Sequence, residues 1–115
     1  MLQDGATLQV RVLIGVVAIF IAPVVEEMLF RGILYPTFKR YGFRHTALWG
    51  TALLFAAVHL NRVTFVPLAV LAVGLTWLYE ATDNLLAPIM AHGFFNLVNF
   101  FMVSPWVFEG QAPAQ

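Results

Sequence analysis

The chain has 115 residues, of which 61% are hydrophobic and only 10% charged, against roughly 45 to 50% apolar and 25% charged residues in ordinary globular domains. This imbalance indicates a membrane protein with a single domain. Six basic and six acidic residues cancel, and no basic block is long enough to predict binding to nucleic acid. The absence of cysteine excludes disulfides, cysteine nucleophiles and thiolate metal sites.

Four apolar segments follow one another along the chain. The first runs from Val12 to Tyr35, and at ~1.5 Å per residue it makes ~36 Å of helix, enough to cross a hydrocarbon core of ~30 Å. The others cover residues 45–60, 63–79 and 85–103. We therefore predict an all-α fold, a polytopic membrane bundle of about four transmembrane helices. A soluble four-helix bundle would need polar outer faces, which these segments lack.

The domain limits and the topology follow from the polar stretches. Residues 1–103 are predicted to form one transmembrane core, and residues 104–115 a flexible C-terminal tail. The predicted loop at residues 36–44 carries Lys39, Arg40 and Arg44, so the positive-inside rule places it in the cytoplasm. We predict an integral membrane protein that is located in the prokaryotic plasma membrane.

The first segment contains three charges, Glu26, Glu27 and Arg31, inside an otherwise apolar run. A charge near the bilayer centre costs at least ~2.5 to 3.5 kcal/mol, so such residues normally pair and mark a functional site. On a helix, Glu27 and Arg31 share one face, whereas Glu26 is rotated by ~100°. The pattern predicts one paired carboxylate and one left free for chemistry. Pro23 is predicted to kink this helix or to free a carbonyl beside the charges.

Four buried polar side chains are predicted to lie at one depth. Counting helical rise from the connections places Glu26, His59, His92 and Asn96 in one layer. His92 and Asn96 project from one face of the fourth segment, and Phe55 and His59 from one face of the second. A single histidine in an apolar helix usually has a structural role. Several polar groups at one depth favour function, because each carries a burial cost of ~1 to 3 kcal/mol when unpaired.

Three motifs therefore stand in order, each on its own apolar segment: Glu26-Glu27-x-x-x-Arg31, Phe55-x-x-x-His59 and His92-x-x-x-Asn96. This arrangement resembles the CPBP family of CAAX proteases and bacteriocin-processing enzymes, also called the Abi family, which includes the Rce1-like prenyl-protein endopeptidases. The likeness extends over residues 23–99.

The resemblance implies an intramembrane endopeptidase of the glutamate type. On these positions Glu26 and His59 would activate a water that attacks the scissile carbonyl, and His92 and Asn96 would form the oxyanion hole. Glu27 and Arg31 would hold the first motif in place, and Phe55 would shield the imidazole of His59 from lipid. No cofactor and no metal ligand is implied, and the partners are a membrane-associated peptide or protein substrate and the bilayer, with no nucleic acid.

Family members usually carry further membrane helices before the first motif, whereas one short run precedes Glu26. We therefore consider a fragment, a minimal member, or a homo-oligomer that completes the bundle. The resemblance leaves the substrate open between a prenylated protein, a bacteriocin precursor and another membrane protein.

Three alternative functions remain from the residues alone. Glu26, His59 and His92 are a donor set that could ligate zinc in a metal-dependent peptidase, although the His-x-x-x-His spacing of metalloprotease helices is absent from the sequence. His59 and His92 could instead be axial ligands of haem. A non-catalytic immunity or interaction protein could also keep this fold.

Overall fold

The structure, a computed structural model, describes the backbone of residues 2–109 and the side chains of residues 7–102. Four helices make up this part of the chain, which contains no strand: α1 (residues 2–41), α2 (Arg44–Ala57), α3 (Arg62–Thr82) and α4 (Leu86–Glu109). The predicted all-α class is confirmed. Thr7–Tyr41 and Arg62–Thr82 are each long and apolar enough to cross a membrane, so the number of crossings stays a prediction.

Helix α1 alternates between α-helical and π-helical turns. The π-helical turns cover Val17–Ile21 and Phe30–Leu34, and each ends two residues before a proline, Pro23 or Pro36. A proline has no N–H, and its ring collides with the carbonyl four residues earlier. A wider turn before the proline avoids this collision, which accounts for the position of both π-helical turns. The kink expected at Pro23 stays a prediction.

The predicted loop at residues 36–44 is wrong over most of its length, because Tyr35–Tyr41 is helical. Pro36 lies in the first turn of this helical piece, where proline is tolerated. Two side chains of Tyr35–Tyr41 connect this helical piece to the end of α3. Tyr35 Oη donates to Glu80 Oε1 at 2.5 Å, and Lys39 Nζ donates to the same oxygen at 2.8 Å. These contacts extend α1 beyond its predicted end.

The other helix ends differ from the predictions by a few residues. Helix α2 stops at Ala57. Asn61 caps α3, its side chain accepting from two backbone amides. Asn84 Oδ1 accepts from the amide of Leu86, the first residue of α4, at 2.9 Å. Helix α4 continues to Glu109, past the predicted start of the tail, and residues 110–115 lie outside the described residues.

The packing of α4 on α1 brings the third motif to the first. Gly93 lies so close to α1 that a Cβ on it would come within 2.9 Å of the carbonyl oxygen of Ile19, in the first π-helical turn. Only a residue without a side chain permits this approach. Since His92 and Asn96 flank Gly93 on α4, both are held against α1.

Candidate active site

Glu27 and Arg31 form a fully buried ion pair, as the four-residue spacing predicts. Arg31 Nη1 lies 3.0 Å from Glu27 Oε1, and both side chains are 0% exposed. Arg31 is also held by α3: its Nε donates to Thr76 Oγ1 at 3.2 Å, and its Nη2 to the carbonyl of Ala72 at 2.8 Å. The contacts to Thr76 and Ala72 connect the first motif to a helix that carries none of the three motifs.

His92 bridges the two adjacent glutamates. Its Nδ1 lies 2.8 Å from Glu27 Oε1 and its Nε2 lies 3.2 Å from Glu26 Oε2. Through these two contacts one imidazole ring spans the gap between the Glu26 and Glu27 carboxylates. Glu26 forms no ion pair with Arg31 in the described part of the chain, as its rotation on the helix predicts, and the packing of α4 places His92 beside it instead.

Glu26 also faces His59, across a longer gap. Its side chain and that of His59 are each 30% exposed, and Oε1 lies 3.9 Å from His59 Nε2. His59 Nδ1 lies 2.7 Å from the carbonyl oxygen of Phe55, which can only accept, so Nδ1 carries the proton. In the neutral ring Nε2 is then a bare acceptor. Glu26 and His59 thus present two acceptors, 3.9 Å apart, at the more exposed side of the cluster.

Phe55 is the hydrophobic centre of the cluster and is 0% exposed. The centroid of the Phe55 ring lies 4.9 Å from the ring centroid of His59 and 5.6 Å from that of His92. The guanidinium carbon of Arg31 lies 4.8 Å from the same Phe55 centroid. A buried ring in contact with all three basic groups helps to fix their positions.

Asn96 is held by a backbone carbonyl that Pro23 leaves without a backbone donor. Its Nδ2 donates to the carbonyl of Ala18 at 2.7 Å. In an α-helix the carbonyl of Ala18 would accept from the N–H four residues later, that of Ala22, but this N–H donates to the carbonyl of Val17. In a π-helix it would accept from the residue five later, which is Pro23 and has no N–H. The prediction that Pro23 frees a carbonyl is consistent with this contact. An amide nitrogen has two hydrogens, so one N–H of Asn96 is left for another acceptor.

The three predicted carboxylate and imidazole residues Glu26, His59 and His92 come together, as the depth argument expects. Asn96 lies one turn further along α4, and its contact is with Ala18 rather than with the carboxylates. Within the described residues, no group of three or more His, Asp or Glu side chains is arranged to hold a metal ion. The zinc alternative therefore gains no support from the geometry.

Two contributions to the site were missing from the sequence interpretation. Thr76 is one of three threonines in α3, and a hydroxyl in an apolar helix is a weak signal for a hydrogen bond between helices. Ala72 contributes through its carbonyl, which leaves no mark in a sequence. The double role of His92 depends on how α4 packs against α1, and spacing along one helix does not determine that packing.

The described part of the chain is thus an all-helical protein in which a partly buried cluster of acids and histidines lies among apolar helices. The type II CAAX prenyl endopeptidase Rce1-like family matches residues 8–98, and the chain belongs to this family. It is a protease family, and the match together with the two apolar helices supports integration into a membrane. All three motifs fall within the matched residues.

One relative is the protein named "Uncharacterized protein YpbD" of Bacillus subtilis (strain 168), which is 37% identical over 71 residues. The similarity covers 58% of this chain and 33% of the relative, so the chain matches about a third of that protein. No solved structure matches the chain.

Proposed function

We propose that this protein is an intramembrane endopeptidase that hydrolyses a peptide bond of a membrane-associated substrate through a water activated by Glu26 and His59. The observation that carries the proposal is the distance of 3.9 Å between Glu26 Oε1 and His59 Nε2. Both atoms are acceptors, and the separation suits one water that donates a hydrogen bond to each of them. Membership of a protease family is consistent with this chemistry.

In the proposed reaction Glu26 takes a proton from the water while the oxygen of the water bonds to the scissile carbonyl carbon. The negative charge moves onto the carbonyl oxygen, where the second N–H of Asn96 is the donor. Glu26 then returns its proton to the leaving amine as the carbon–nitrogen bond breaks. One water is consumed, and a carboxylic acid and an amine are formed, which become a carboxylate and an ammonium when the acid passes its proton to the amine.

His92 was expected to share the oxyanion hole with Asn96. Its two nitrogens lie against Glu26 and Glu27 in this structure, so the geometry favours a positioning role that orients the Glu26 carboxylate toward the water. Glu27 and Arg31 hold His92 in that position, because His92 Nδ1 and Arg31 Nη1 both contact Glu27 Oε1.

The substrate is proposed as a membrane-bound peptide or protein, prenylated or otherwise, in a bacterial plasma membrane, in line with the Bacillus relative. The same proposal includes four membrane crossings and the assembly of the chain into a homo-oligomer. A non-catalytic immunity or interaction role is the alternative, and it predicts that motif variants keep their biological function.

The test is cleavage of candidate membrane peptides by purified protein in liposomes, with the products identified by mass spectrometry. Wild type is expected to yield two fragments whose masses sum to the substrate plus one water, and Glu26→Gln to yield them at least about 100-fold more slowly. Asp83→Asn makes the same acid-to-amide change at an exposed position between α3 and α4, and it should cleave like wild type. Equal cleavage by Glu26→Gln and wild type would contradict the proposal.

A further inference from the structure

A cavity of about 560 Å³ lies between the end of α2 and the start of α3, outside the acid and histidine cluster. Five apolar side chains form most of its wall: Ala56, Ala57, Leu60, Phe65 and Val66. We call it the hairpin cavity. Its small alanines on α2 leave room for an elongated apolar group between the two helices.

The polar part of the cavity consists of Asn61 and Arg62. Arg62 is exposed and forms no ion pair with any side chain among residues 7–102. Asn61 uses its oxygen to cap α3, which leaves the amide hydrogens as donors. The lining therefore combines one cation with amide donors and includes no acid, so it suits a ligand with an apolar body and a negatively charged head.

The location of the hairpin cavity points to the source of such a ligand. Arg62 is the first residue of the candidate membrane span Arg62–Thr82, whose 21 residues make ~31 Å of helix, close to the ~30 Å of a hydrocarbon core. Arg62 then stands at the level of the lipid headgroups, while Phe65 and Val66 lie one turn deeper.

Exposed apolar side chains surround this end of the hairpin. Leu60 is 92% exposed, Val63 86% and Val66 66%. In a membrane protein such a surface faces the acyl chains, so the hairpin cavity opens toward lipid.

We propose that the hairpin cavity binds an anionic phospholipid, with the phosphate at Arg62 and one acyl chain along Phe65 and Val66. Charge complementarity selects the headgroup, because a basic residue at the membrane surface attracts an anionic lipid by about 1 kcal/mol, or roughly fivefold in affinity. The apolar wall selects the chain. This site requires no peptidase activity.

The experiment measures lipid binding to the purified full chain in detergent by native mass spectrometry. Phosphatidylglycerol and phosphatidylcholine with identical acyl chains are titrated in parallel. Wild type is expected to bind phosphatidylglycerol more tightly, and Arg62→Gln to bind it about fivefold more weakly. Arg40→Gln removes an exposed basic residue from the last turn of α1 and should bind like wild type.

A second variant tests the cavity without changing charge. Ala57 is exposed, so Ala57→Phe fills the hairpin cavity without disturbing the core and should weaken binding of both lipids. Equal phosphatidylglycerol affinity in wild type, Arg62→Gln and Ala57→Phe would overturn the proposal. An apolar peptide with a free terminal carboxylate whose binding is weakened in Arg62→Gln and Ala57→Phe, while phosphatidylglycerol binding is not, would also overturn it and assign the cavity to a peptide. Glu26→Gln should bind lipid normally, so the result is independent of catalysis.

Discussion

Replacing Arg31 with methionine removes the cation at the centre of the buried cluster while nearly keeping the side-chain length. The change abolishes the ion pair with Glu27 at 3.0 Å and the hydrogen bonds to Thr76 and to the carbonyl of Ala72. Stranding one charge of a buried pair typically costs ~3 to 5 kcal/mol. His92 still contacts Glu27 at 2.8 Å, so we expect the lower part of that range, about 3 kcal/mol.

The assay is reversible unfolding in mixed micelles, which gives the free energy of unfolding for wild type, Arg31→Met, Glu27→Gln and the double variant. Each single substitution leaves one buried charge without its partner, whereas the double variant removes both. The double variant is therefore expected to lose clearly less than the sum of the two single losses. Thr76→Val is the graded control, because it removes one hydrogen bond to a charged group, worth ~1.5 to 3 kcal/mol.

Losses that add in the double variant would refute this reasoning, since they would mean that Glu27 and Arg31 do not stabilise each other. An Arg31→Met variant as stable as wild type would refute it as well, because a fully buried arginine with three polar partners would then contribute nothing.

Three further predictions concern catalysis and orientation. Asn96→Ala should lower the turnover rate by roughly 100-fold or more with little change in KM, because the oxyanion donor acts in the transition state; a change in KM alone would contradict this. Elemental analysis of purified active protein should find no stoichiometric zinc, and activity should survive a chelator; one zinc per chain, lost together with activity, would establish the metal-dependent alternative. Cysteines introduced at Thr37 and Asn61 should be labelled by an impermeant thiol reagent in intact cells at position 61 and not at position 37, which the reverse topology would invert.

Local spacing predicted much of the candidate site. The i,i+4 relation of Glu27 and Arg31 identified the buried pair, and the depth argument brought Glu26, His59 and His92 together, because both depend on helical geometry that a sequence carries directly. The fold class followed from hydrophobicity alone. The extension of α1 through Tyr35–Tyr41 could not be predicted from local signals, since it depends on contacts with Glu80, far along the chain.

The partners of the polar groups were harder to predict than their positions. His92 contacts two carboxylates because Gly93 allows α4 to approach the carbonyl of Ile19, and such rotation and distance between helices are properties of packing. Ala18 accepts from Asn96 because a π-helical turn precedes Pro23. A proline can be read from the sequence, but the turn that accommodates it cannot.

The central claim is that Glu26 and His59 act on the same water, and a double-variant kinetic cycle tests it most directly. The cleavage rate constant is measured for wild type, Glu26→Gln, His59→Ala and the double variant, each normalised to folded protein. A general base typically contributes 10²- to 10⁴-fold, so each single variant should lose at least about 100-fold. Residues that act as a unit are strongly non-additive, so the double variant should be no slower than the slower single variant. Losses that multiply in the double variant would contradict the shared water.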